Sequence, residues 1–445
     1  MTKMKTKNIA VAAVLFLLLL VPRAVLALNV QEFTLENGLK ILVLEEHKAP
    51  TATFQVWYRV GSRDEQSGKT GLSHLLEHMM FKGTKNHGPK TFSQSIQRIG
   101  GIDNAFTSRE YTGYFELIAA DRIDVAIELE ADRMQNLVLT PGSVLSERDV
   151  VMEERRLRYD DDPQNMVFEE VMASAFKNHP YAWPVVGWMS DLKGMHPDDL
   201  VQHYRTYYAP NNAVVIVVGD VVAAEVVEKI KKAFGGIPRG PEIRRLAFEE
   251  PEQKGERRIF VKKEAELPYF FAGYKVPNIA HEDGFALEVL GTILSDGKSS
   301  RLYRSLVYEK QLAVSAWAGY DGMTRDPFLF MTGATAAQGR KIEDVEQAMI
   351  EEFEKIGQEP PTEQEVQKAK NQIEAAFIME QDSIYMQAKT IGSFEMTFGW
   401  KFIERYLEGV RKVTPEDVRR AAEKYLVADR RTTGVLIPLK NGEKP

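Results

Sequence analysis

Three residues within five positions, His74, Glu77 and His78, carry the side chains best suited to chemistry in this sequence. They lie in GLSHLLEHMMFKGT, residues 71–84, which reads as a short helix. Four positions separate the histidines, slightly more than one turn, so both imidazoles leave the same side of the helix and can share one ion. On a helical wheel Leu72, Leu75, Leu76 and Met79 form one stripe and the polar trio gathers beside it. Neutral imidazole is a good zinc ligand, and a catalytic zinc has three protein ligands with water in the fourth place. Glu77, out of phase with the histidines yet next to them, is placed to take a proton from that water instead of binding the ion. Two surface histidines on an amphipathic helix remain the plain alternative.

A third ligand decides between these readings. After Pro141-Gly142 comes SVLSERDVVMEERRLRYDDDP, a helix whose apolar face is expected to hold Val144, Val150, Val151 and Leu157, with Glu147 and Glu154 near its centre. A bare ionised carboxylate on a buried stripe would cost several kcal/mol, so each glutamate needs a cation or donors. An ion held by His74 and His78 would satisfy Glu154, and Glu147 would orient a ligating imidazole. Glu153 points well away. Salt bridges from the two glutamates to Arg133, Arg148 or Arg155 are the competing account. His87, in the loop KNHGPK, is a rival ligand, though Gly88 and Pro89 favour a solvated loop histidine; His179, between Asn178 and Pro180, reads as structural or surface. The order H-x-x-E-H is the inverted zinc-peptidase signature.

These residues need a scaffold, and 445 residues with 44% hydrophobic content suffice for two sizeable domains. A net charge of -7 with interspersed signs offers no basic stripe for nucleic acid. Lys3, Lys5 and Lys7 precede the apolar run from Ile9 to Val21, and cleavage after Ala27 is the expectation for a secretory signal peptide at residues 1–27, with an uncleaved anchor as the alternative. That places the mature chain in the periplasm or outside the cell, with no stable membrane span after signal removal. With no cysteine, disulfides are excluded and any metal is held by nitrogen and oxygen.

Alternating, β-branched stretches from Val30 to Val60, with Asn37-Gly38 as a turn, read as a strand hairpin followed by TATFQVWYRV. TFSQSIQRIGG reads as a helix and IDNAFTSREYTGYFELIA as a strand pair. If Asn104, Ala105, Phe106 and Thr107 form a free edge facing the metal, they can bind an extended peptide by strand addition; an ordinary interior strand is the alternative. Residues 238–256, rich in Pro, Gly and charge, read as a linker. Residues 257–445 repeat the first half: LPYFFAGYKV matches TATFQVWYRV at an offset of 274 - 58 = 216, and TPEDVRRAAEKYLVADRRTTGVLI matches HPDDLVQHYRTYYAPNNAVVIVV at 415 - 197 = 218. Two such matches argue for duplication. The second copy has no histidine after His281, and at offset 218 Glu154 falls on Gln372, so the metal site is expected only in 28–237.

With HLLEH, Glu154 seventy-six positions after His78, Glu147, NAFTS and LSDGKSSRLYRSL in hand, the chain resembles the pitrilysin-type metallopeptidases, in particular the shorter bacterial members related to mitochondrial processing peptidase. The resemblance implies an α+β fold of two homologous domains, each an antiparallel sheet flanked by helices, facing each other across a cavity. It implies one zinc per chain on His74, His78 and Glu154, with Glu77 as general base; manganese or cobalt would suit the same donors. One departure matters: active members carry an Arg and a Tyr where this chain has Val307 and Val314 in LVYEKQLAVS. Losing an oxyanion donor costs ~100 to 1,000-fold in rate. The expectation is therefore an endopeptidase subunit for extended or unfolded peptides, completed by a homologous partner that lacks H-x-x-E-H; a non-catalytic scaffold or chaperone-like subunit is the rival.

Overall fold

The computed structural model describes residues 28–439, so the expected signal segment lies outside the described residues. The first half runs β1 (Gln31–Thr34), β2 (Lys40–Glu45), β3 (Thr51–Tyr58), α1 (Leu72–Met79), α2 (Thr91–Arg98), β4 (Ile102–Thr107), β5 (Thr112–Ala119), α3 (Ile123–Asn136), α4 (Pro141–Arg155), α5 (Pro163–Ala175), α6 (Met189–Gly194), α7 (Pro197–Tyr207), β6 (Ala213–Gly219), α8 (Ala223–Phe234). The second runs β7 (Arg257–Glu264), β8 (Tyr269–Val276), α9 (Gly284–Ser295), β9 (Ala313–Tyr320), β10 (Phe328–Ala336), α10 (Ile342–Gln358), α11 (Glu363–Glu380), α12 (Ile384–Thr397), α13 (Phe402–Lys412), α14 (Pro415–Tyr425), β11 (Arg431–Leu439).

The strand orders are β1-β2-β6-β3-β5-β4 and β7-β11-β8-β10-β9. Replacing β2, β6, β3, β5 and β4 by β7, β11, β8, β10 and β9 turns the first order, without its edge strand β1, into the second, so the duplication read from sequence extends to topology. The sheets are not purely antiparallel as expected: β2 runs parallel to β6, and β7 parallel to β11. The last strand of each half returns after its helices to lie between strands formed early, which no local hairpin signal encodes. The first hairpin forms as read, with β1 antiparallel to β2 across the Asn37-Gly38 turn.

Each half lends a helix to the other's sheet. Val167 and Val171 of α5 pack on Val261, Tyr269, Phe271 and Leu436 of the second sheet. Ala388, Ile391 and Phe394 of α12 cover Leu42, Trp57, Val214, Ile216 and Val218 of the first. A Cβ on Gly392 would lie 2.4 Å from the Trp57 indole, so only glycine lets α12 approach so closely. At about 2 kcal/mol for each fully buried aliphatic side chain, this exchange welds the halves together. Ion pairs reinforce the seam: Arg63 meets Asp326, and Arg325 meets Glu110 and Asp64. Residues 238–256 contain no helix or strand but are tied down, because Glu250 accepts the Lys177, Asn178 and His179 backbone N–H groups and pairs with Lys275. The cavity at this seam, about 880 Å³, is lined by Phe176 and His179 from one half and Phe328 and Tyr425 from the other, not by the candidate ligands.

Candidate metal centre

Helix α1 is short, and burial rather than length stabilises it: Leu75, Leu76 and Met79 are fully buried. Its entry residue Gly71 sits at φ 91°, a left-handed conformation in which a Cβ would also meet the Val186 carbonyl oxygen at 2.6 Å. The buried Glu65 carboxylate accepts the Gly71 and Ser73 N–H groups at 2.8 and 2.7 Å, satisfying two of the helix's free donors. The far face of α1 then presents His74 and His78, with ring centroids 4.8 Å apart.

Helix α4 brings the carboxylate. Its N-cap Thr140 accepts the Ser143 N–H, and Pro141 sits where its missing donor costs nothing. Val144 and Val151 are buried as expected, but Val150 and Leu157 are 49% and 63% exposed, which corrects the sequence reading. The buried stripe follows Val144, Glu147, Val151 and Arg155, and Val150 lies one residue off it. A π-helical turn over Arg156–Asp160 then breaks the 3.6-residue phase and carries Leu157 outward. Neither glutamate uses the rival arginines: Arg133 pairs with Glu130 and Glu116, Arg148 with Asp149, and Arg155 with Glu169.

The Glu154 carboxylate instead lies 3.3 Å from His78 Nε2 and 3.8 Å from His74 Nε2. One ligand atom from each of His74, His78 and Glu154 falls within 4.8 Å of the others. Ligands bonding a tetrahedral ion at ~2.0–2.1 Å sit roughly 3.3 Å apart, so this donor set fits a zinc-sized cation with little adjustment. Glu147 accepts from His78 Nδ1 at 3.0 Å, which frees His78 Nε2 for the ion, and Lys82 holds the other Glu147 oxygen at 2.6 Å. Arg158 reaches back to Glu154 at 2.9 Å. The sequence reading did not single out Lys82 or Arg158; Arg158 lies four residues after its partner Glu154, the spacing that signals it, whereas Lys82 lies beyond α1 and meets Glu147 only through the fold. Glu153 pairs with exposed Arg156, away from the centre.

The electrostatics suit the arrangement. Burial pushes the His74 imidazole down to about 4, helped by the neighbouring His78. For His78 burial also opposes charge, but Glu147 and Glu154 outweigh it and raise the imidazole to about 9. Burial raises the Glu77 carboxyl, against a hydrogen bond from Thr107 Oγ1 to Glu77 Oε2 at 2.5 Å. A carboxylate raised toward neutrality suits a general base.

Among the described residues strand β4 pairs only with β5 and is the sheet's edge, the position that strand addition requires. Of the four residues assigned to substrate, Thr107 turns to Glu77, Phe106 packs on Trp57 and Tyr111, and the Asn104 side chain accepts the Ala105 N–H. His179 is buried, accepting the Tyr181 N–H at Nδ1 and donating from Nε2 to Asp326 (3.0 Å), so it is structural. His87 lies in the loop before α2, outside the metal-ligand grouping. A second cluster, His281, Glu282 and Asp283, is discounted because Asp283 is taken by Lys424 and Tyr425.

Residues 40–187 match the family described as "Insulinase (Peptidase family M16)", and residues 195–373 match "Peptidase M16 inactive domain". The chain belongs to peptidase family M16. It is 34% identical over 412 residues to "Zinc protease PqqE" of Helicobacter pylori, covering 92% of this chain and 93% of that protein. It is 28% identical over 408 residues to "Mitochondrial-processing peptidase subunit beta" of Lentinula edodes, covering 88% of this chain and 86% of that one. Among solved structures, a protease from Helicobacter pylori superposes with a TM-score of 0.89 at 33% identity, covering 92% and 99% of the two chains. The family match confirms the resemblance read from HLLEH and its downstream glutamates; the first matched segment lies in the first half, and the second begins at α7 of the first half and runs into the second.

Proposed function

We propose that this chain is a zinc-dependent endopeptidase subunit acting on extended or unfolded peptides. The convergence of His74, His78 and Glu154, with the Glu77 carboxylate beside them and hydrogen-bonded by Thr107, is the observation that carries this reading. A zinc bound there would supply Lewis-acid polarisation of a carbonyl and acidify water. Glu77 takes the proton of the attacking water and returns it to the leaving amine. Thr107 fixes one Glu77 oxygen by its hydrogen bond, which leaves the other to accept the proton. Edge strand β4 holds the peptide backbone by strand addition, and Glu147 keeps His78 in the ligating tautomer.

The proposal includes a periplasmic or secreted location, a signal at 1–27, a catalytic unit at 28–237, a linker at 238–256 and a metal-free unit at 257–445. It also includes a homologous partner. Val307 is half-buried against the second core and Val314 is exposed, so neither supplies a donor to an oxyanion. That same substitution favours the second reading, a non-catalytic scaffold or chaperone-like subunit. Zinc content and cleavage of an unfolded peptide, measured alone and with a homologous chain lacking H-x-x-E-H, separate them. The endopeptidase reading expects one zinc and slow cleavage that the partner accelerates; one zinc with no cleavage under either condition leaves the scaffold.

A further inference from the structure

The second half contains a cavity of about 580 Å³ where its metal centre would be. Three equivalences fix that position. Leu75, Leu76, Met79 and Met80 of the first half match Val289, Leu290, Ile293 and Leu294, all buried, and Gly83 matches Gly297, both with positive φ. This offset, 297 - 83 = 214, puts Glu288 at the place of His74 and Thr292 at that of His78. N-caps Thr140 and Thr362 are also equivalent, as are buried Val144 and Val366. The offset on this helix is thus 362 - 140 = 222, and Glu154 corresponds to Ala376 rather than to Gln372, a correction to the single offset read from sequence. Finally Tyr58 pairs with Thr112 and Thr112 with Thr107, while Tyr274 pairs with Phe330 and Phe330 with Tyr320, so Tyr320 stands in for Thr107.

Glu288, Thr292, Ala376 and Tyr320 all line the cavity. Its volume falls in the range of ligand pockets. Its charged lining consists of Glu288, Asp296, Asp321, Glu380 and Lys389. None of these carboxylates makes an ion pair among the described residues. Glu288 accepts from Tyr406 at 3.3 Å, Asp296 from Gln372 at 2.9 Å and Glu380 from Thr390 at 3.5 Å, while the Asp321 side chain has no hydrogen-bond partner among the described residues. Burial raises Glu288 to about 7, with no cation opposing it, and lifts Asp321 as well, against a smaller opposite pull from Arg109.

The cavity also borders the strand assigned to substrate. Lys389, on its lining, places its ammonium 5.7 Å from the centre of the Phe106 ring, and Phe106 precedes the Thr107 that holds Glu77. A peptide added to β4 would advance about 3.3 Å per residue past this point, with alternate side chains directed to opposite faces.

We propose that this vacated centre is a specificity subsite that takes the cationic side chain of a lysine or arginine from an extended peptide lying along β4. The inference rests on the endopeptidase reading and adds the substrate's chemistry. Walls from Tyr320, Tyr406 and Phe377 accommodate the aliphatic stem, and the unpaired carboxylates receive the charge. The duplicated half thereby retains a role in the reaction: where its counterpart holds a metal ion, it holds a substrate cation.

The test uses the full chain carrying Glu77→Gln, to prevent turnover, and pairs of fluorescent extended peptides that differ only in lysine against norleucine, with that residue walked along the sequence. Fluorescence anisotropy gives the ratio of the two Kd values at each position. The proposal expects a preference for lysine of at least about tenfold at one position. It expects that ratio to collapse toward one in Glu288→Gln/Asp321→Asn, and to fall in Glu380→Gln at the end of α11, which reports on the subsite should the double variant not fold. A ratio near one at every position, or a preference that survives these substitutions in folded protein, overturns the subsite while leaving peptide binding intact. Failure of both peptides to bind overturns the endopeptidase reading and the subsite with it.

Discussion

The two halves run the same chain path through corresponding sheets, yet one gathers a metal-ligand set and the other encloses a cavity. The difference comes down to a few side chains. His74, His78 and Glu154 become Glu288, Thr292 and Ala376, while the apolar residues that seat the two helices are kept in kind. Scaffold and chemistry are therefore separable here. The packing determines where helices α1 and α9 lie, and the polar face determines what they do.

The sharpest break in this comparison is Glu77→Gln, which should lower peptide cleavage by about 1,000-fold while zinc content, measured by elemental analysis, stays the same. If cleavage survives, the base is elsewhere. Next in size, Val307→Arg with Val314→Tyr should raise the rate of the isolated chain by about 100-fold by returning oxyanion donors to the second half. An unchanged rate would mean that segment does not face the reaction.

Glu147→Ala removes the acceptor at His78 Nδ1 and should weaken zinc binding by about 10- to 100-fold in competition with a chelator. The equivalent position in the second half carries no such load, since 147 + 222 = 369 is a buried alanine. Buried Val144 and Val366 sharpen the comparison from the scaffold side: truncation of either to alanine should cost about 2 kcal/mol in denaturant unfolding, and a large disparity would argue against a shared frame.

The smallest effect is a proton count. His78 is raised to about 9 without an ion, so at neutral pH it carries a proton that zinc must expel. Uptake near neutrality should release about one proton per ion, read by calorimetry in buffers of different ionisation enthalpy. Release should fade as pH rises through about 9, because the imidazole is then already neutral. The sign also runs through folding: a pKa above its unfolded value stabilises the ion-free protein below about 6.5, and that contribution is lost as pH climbs through 9.

Much of the centre was legible in the sequence because its constraints are local. A four-residue histidine spacing fixes one helix face, and a glutamate on a buried stripe needs a cation wherever the helix lands. The exact stripe was not legible, since the π-turn after Arg155 shifts the phase that placed Leu157 inside. The parallel pairings of β2 with β6 and of β7 with β11 escaped because strand periodicity says which face is apolar but not which distant strand lies alongside. For the same reason nothing in the amphipathic patterns of α5 and α12 announced that each would cover the opposite half's sheet. The Glu154 counterpart was misassigned because one offset was carried through a duplication whose loops differ in length.

The central claim is that one cation joins residues of α1 and α4 and has no counterpart in the second half. Anomalous diffraction at the zinc edge, on crystals of the zinc-loaded chain, tests it most directly. The account expects a single ion bonded at ~2.0–2.2 Å by His74 Nε2, His78 Nε2 and Glu154, and none between Glu288 and Thr292. No ion among the first three residues, or one bound elsewhere in their place, would contradict it.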